Sequence, residues 1–82
     1  MIPTYQRPNL ADIAGPTQPT PYACRAVMDV LRAHGRPMSF SLIASRVLPA
    51  MPYALIAAAL LDLLHEQEEI SLDEHYLYEA ER

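Results

Sequence analysis

The chain has no tryptophan, no lysine, one cysteine and two glycines in 82 residues. Each scarcity excludes something. A single thiol, Cys24, forms no disulfide within the chain and offers no zinc cluster. Gly15 and Gly35 stand alone, so there is no glycine-rich loop to cradle a phosphate. No run approaches the ~18 uninterrupted apolar residues of a membrane span. No basic stretch followed by an apolar one stands at the start, so neither membrane insertion nor secretion is expected, and the cytoplasm is the expected compartment. The spacing of His65, Glu66 and Glu69 is not that of a hydrolytic zinc helix, so no metal, cofactor, small-molecule substrate or catalytic residue is expected.

What is present is an apolar fraction of 51%, eight prolines, five tyrosines and an uneven charge. A chain this short buries only ~60% of its unfolded surface, so a partner subunit or a well-packed helical core is expected to support it. The net charge is −4, and it is concentrated at one end. Residues 66–82 carry Glu66, Glu68, Glu69, Asp73, Glu74, Glu79 and Glu81 against Arg82, a net −6. Residues 22–65 are mildly basic through Arg25, Arg32, Arg36 and Arg46 against Asp29 and Asp62. The overall sign argues against indiscriminate binding to phosphate backbones.

Five of the prolines fall in residues 1–21, and proline both removes a backbone donor and biases the preceding residue toward extended conformations. An extended arm is therefore expected over 1–21, packed on its own domain or a neighbour through Ile2, Tyr5, Leu10 and Ile13. From Pro21 the apolar period becomes helical. Cys24, Val27, Met28 and Leu31 predict a first helix over about 22–34 with Gly35 as its left-handed cap. Ser39 predicts the cap of a second helix, with Leu42, Ile43, Ala44 and Val47 inward and Pro49 as its stop. A third helix runs from Pro52, in the first helical position, to about Gln67. Alternation then predicts strands over 69–72 and 75–79 joined by a tight turn at Asp73 and Glu74, with Tyr76 and Tyr78 on one face.

Three helices followed by a two-stranded hairpin is the order of elements in a winged helix-turn-helix domain. The run Gly35-Arg-Pro-Met-Ser-Phe-Ser-Leu-Ile-Ala-Ser-Arg-Val-Leu48 resembles the link and second helix of that superfamily, and Leu61, Leu64 and Ile70 are similar to the end of its third helix and its first wing strand. The resemblance covers residues 22–80 and implies an α+β, mostly helical winged-helix domain over 22–82 behind the arm. Two departures stand out. The glycine usual between the third helix and the wing is replaced by Glu66, Gln67, Glu68 and Glu69. The third helix, projected at about 100° per residue, turns Tyr53, Ile56, Ala57, Leu60 and Leu64 inward and Leu55, Ala58, Ala59, Asp62, His65 and Glu66 outward. That outer face has no Arg, Lys, Asn or Gln for base edges and has two carboxylates that phosphates repel.

The first functional expectation is therefore a non-catalytic regulatory module that binds a protein partner, with homodimerisation as one route. Its contact surface is the apolar strip Met51, Pro52, Tyr53, Leu55, Ala58 and Ala59; the competing account of that strip is internal cover by the arm. The acidic surface of Glu66, Glu68, Glu69, Asp73 and Glu74 would favour a basic partner. The alternative is a sequence-specific DNA-binding regulator gripping phosphates through Arg25, Arg36 and Arg46, and a third is an acidic inhibitor that occupies a nucleic-acid site on another protein. Arg25 and Asp29, four apart, read as a surface ion pair, and Cys24 as a buried, unreactive thiol.

Overall fold

Asn9 begins the part of the chain that the computed structural model describes, residues 9–48 and 50–81. Its side-chain oxygen accepts the amide of Asp12 at 3.3 Å and caps a short helix, α1, Leu10–Ala14. The extended arm expected over 1–21 is thus interrupted. The stretch between Pro8 and Pro16 keeps all its amide donors, and Gly15, at φ 54°, closes the turn with its N–H on the Ala11 carbonyl at 3.0 Å. Residues 1–8, with Ile2 and Tyr5 of the expected arm, lie outside the described residues.

Helix α2, Pro21–His34, follows from its caps and its stripe. Thr20 Oγ1 accepts the Ala23 amide at 3.1 Å, Pro21 fits the first turn, and Gly35 adopts φ 73° with its N–H on the Leu31 carbonyl. Ala23, Cys24, Val27, Met28 and Leu31 are buried. Helix α3, Phe40–Val47, begins at the expected cap, Ser39 Oγ accepting the Leu42 amide at 3.1 Å. Phe40, Ile43, Ala44 and Val47 point inward, while Leu42, expected with them, is half-buried. Pro49, the expected stop, lies outside the described residues.

Helix α4, Tyr53–Leu61, starts one residue later than expected, with Pro52 at the cap position and no side-chain acceptor. Five successive residues, Ile56 to Leu60, are all buried. A helix buried on consecutive positions needs cover on more than one side, and α1 packs against α4 where α2 alone would leave it open. The α-helix expected to run to Gln67 instead widens into a π-helical turn, Asp62–Glu66, closed by the Gln67 amide on the Asp62 carbonyl at 2.9 Å. Glu68 then takes φ 54° without the help of glycine.

The hairpin is β1, Ile70–Leu72, paired antiparallel with β2, Tyr78–Ala80, in the register Ile70–Ala80, Ser71–Glu79 and Leu72–Tyr78. The tight turn at Asp73 and Glu74 is not formed; the pair lacks the glycine that most readily takes the positive φ of a two-residue hairpin turn. A longer loop through Leu77 replaces it: the Asp73 carboxylate accepts the amides of His75 at 2.8 Å and Leu77 at 3.0 Å, and Tyr76 adopts φ 61°. Tyr76 is accordingly off the strand, while Tyr78 is buried. Met38 in the link before α3 exchanges two backbone bonds with Tyr78, at 2.7 and 2.8 Å, so β2 lies between the link and β1. Among the described residues the architecture is α+β and mostly helical, four α-helices with one two-stranded antiparallel sheet.

Candidate functional site

The six residues of the expected contact strip separate into two groups. Met51, Ala58 and Ala59 are buried, at 2%, 3% and 0% exposure. The outward placement of Ala58 and Ala59 is therefore corrected. A single-face projection assumes one covered side, whereas α1 supplies a second: Ala11 and Ala14 share with Ala58 and Leu61 the lining of a groove of about 360 Å³. Pro52 and Tyr53 remain outside and Leu55 is half-buried against the core. Tyr53, projected inward, is 54% exposed and tilts over Phe40, ring centres 6.0 Å apart. At the first turn of α4 no preceding helical turn screens it. Tyr22, at the start of α2, is the most exposed large apolar side chain among the described residues; it flanks the helical stripe, and its own period gave no signal.

Two of the four arginines line one groove. Arg25 and Arg32 lie on the wall of a groove of about 550 Å³ together with Asp29, Asp62 and Glu69. Arg36 and Arg46 are exposed elsewhere, after α2 and in the last turn of α3. The ion pair expected between Arg25 and Asp29 is not formed; among the described residues the ion pair within 4 Å joins His75 to Glu74, at 3.6 Å on the surface. Two exposed side chains gain little from one another in water, so their spacing alone does not hold them together.

Along the same groove runs the polar cluster that sequence spacing missed. Asp62 Oδ2 accepts from Cys24 Sγ at 3.7 Å and from Gln67 Nε2 at 2.6 Å. Residues five apart do not meet on an α-helix, but the π turn, bonded i to i+5, stacks Gln67 over Asp62. Burial and the neighbouring Asp62 carboxylate hold the Cys24 thiol above its ordinary value, so it stays protonated. A protonated, buried thiol is a poor nucleophile. Among the described residues no three His, Cys, Asp or Glu side chains are placed to hold a metal ion, and no helix is long and apolar enough to cross a membrane.

The five residues of the expected acidic surface are exposed and bracket β1, with Glu66, Glu68 and Glu69 before it and Asp73 and Glu74 after it. The outer end of α4 is continued by the half-buried Asp62 and the exposed His65 and Glu66, and carries no arginine. Comparisons with protein-family models, with curated proteins and with solved structures return no match to this chain.

Proposed function

We propose that the chain is a small, non-catalytic winged-helix module that acts by binding protein. The observation that carries this reading is the seating of α1 on α4. In a winged-helix domain that reads DNA, the third helix enters the major groove with its polar face free. Here the corresponding helix is α4, its outer alanines are buried, α1 packs against it, and its continuation offers carboxylates to the solvent. Phosphates repel such a surface, and the two arginines that share a groove, Arg25 and Arg32, share it with Asp29, Asp62 and Glu69. Contact with protein suits what stays exposed: Pro52 and Tyr53 at one corner, Tyr22 at the start of α2, and an acidic rim around β1.

The test is fluorescence anisotropy of labelled random duplex DNA, titrated with protein from low salt upward. The expected outcome is no binding at micromolar protein even at the lowest salt. Binding that weakens with salt, with Arg46→Ala lowering the slope by roughly one unit per lost phosphate contact, would overturn the reading in favour of a DNA-binding regulator.

A further inference from the structure

We infer that the groove between α2 and the π turn binds a free α-amino acid with an apolar side chain, its carboxylate on Arg25 and its ammonium on Asp62. This goes beyond the protein-binding reading above and stands or falls apart from it. The groove, at about 550 Å³, has the size of a small-molecule site, and its two rims carry opposite charge. Arg25 and Arg32 stand on α2 with Asp29 one turn from each, so that rim is net positive. Asp62, from the π turn, and Glu69, just before β1, make the other rim negative. None of these five side chains forms an ion pair within 4 Å among the described residues, so their charges are available to a ligand.

Asp62 is the anchor. It is half-buried, and its Oδ2 is held by the Cys24 thiol at 3.7 Å and the Gln67 amide at 2.6 Å, while its Oδ1 accepts no hydrogen bond among the described residues. Those two bonds fix the carboxylate before a ligand arrives, so an ammonium meets a preset acceptor in a partly desolvated place, where a charge-assisted bond is strong. The bond to Cys24 also sets Asp62 at the level of Arg25, the next residue of α2. An α-amino acid carries its ammonium and carboxylate on one carbon and so meets both rims at one level, whereas a bare amine or a bare acid meets one rim and leaves the other unmatched. Cys24, Met28 and Leu63, all buried, line the bottom of the groove and carry no charge, which suits an apolar side chain.

The probe is L-leucine, titrated into ¹⁵N-labelled protein, beside isoamylamine, which lacks the carboxylate, and isocaproate, which lacks the ammonium. Leucine is expected to shift the amides of Cys24, Arg25, Met28, Leu63 and Gln67 and to saturate in the millimolar range. Each analogue is expected to bind about tenfold more weakly, the loss of one charge-assisted contact. Arg25→Gln, on the surface, and Asp62→Asn, which keeps an oxygen for Cys24 and Gln67, are each expected to weaken leucine by a similar factor with the fold retained. Arg46→Gln, away on α3, is expected to change nothing. Shifts that are absent or stay linear through the millimolar range, equal binding by either analogue, or leucine binding unchanged in Arg25→Gln would overturn the proposal. Should Asp62→Asn unfold the π turn, Arg25→Gln and the two analogues decide.

Discussion

Leu10→Ala tests whether α1 belongs to the core. Leu10 is 6% exposed and sits in a five-residue helix that has no independent stability, so its burial depends on α4. Truncating a buried leucine costs about 2–4 kcal/mol, as lost transfer energy plus the cavity left behind. A chain of this length is stable by about 4–12 kcal/mol in all. The loss is therefore a large share of the total and lowers Tm by about 8–32 °C, at about 4–8 °C per kcal/mol. Urea unfolding followed by circular dichroism at 222 nm measures it. If docking of α1 is worth less than the full truncation cost, α1 detaches first, which caps the loss and uncovers Ala58. A loss below about 0.5 kcal/mol, the range of ordinary surface substitutions, would refute the placement of α1 in the core.

Caps and strain give further outcomes. Ser39→Ala leaves the Leu42 amide without its acceptor and is expected to cost about 1 kcal/mol in the same urea assay. Glu68→Gly relieves a left-handed backbone that a side chain occupies at a cost, and is expected to stabilise by about 0.5–1 kcal/mol; a loss would show that Glu68 makes a compensating contact. Cys24, whose pKa is raised in the folded state by burial and by Asp62, contributes stability that is complete below its ordinary value of 9.0 and is lost as pH rises through the folded value. Cys24→Ala should flatten that alkaline decline, and an unchanged pH profile would count against the cause. Native Cys24 should also react with iodoacetamide far more slowly than in urea.

The helices were legible where a single residue type does one job. Ser39 and Gly35 mark ends that local backbone chemistry dictates, and both are used as caps; Thr20, which the apolar period did not point to, caps α2 as well. The short α1 was hidden by composition: proline density suppresses helix across a window, yet Asn9 and Gly15 bracket a proline-free turn and a half within it. The π turn escaped because Leu61 and Leu64 fit an α-helix as well, and only the tertiary demand on Leu63 and Asp62 separates the two windings. The strip on α4 was misplaced for a related reason. Periodicity reports how many faces are apolar, and α4 is apolar nearly all round; which element covers each face is settled by packing that spans the chain. The acidic rim, by contrast, was plain from charge alone, since carboxylates stay in water unless a buried partner holds them.

The seating of α1 on α4 carries both the fold and the proposed function, and nuclear Overhauser effects on methyl-labelled protein observe it directly. The account predicts cross-peaks from the methyls of Ala11 and Ala14 to those of Ala58 and Leu61, with slowed amide exchange through Ile13, Ala14 and Gly15. Random-coil exchange over residues 10–14, with no such cross-peaks, would contradict it and return the outer face of α4 to solvent.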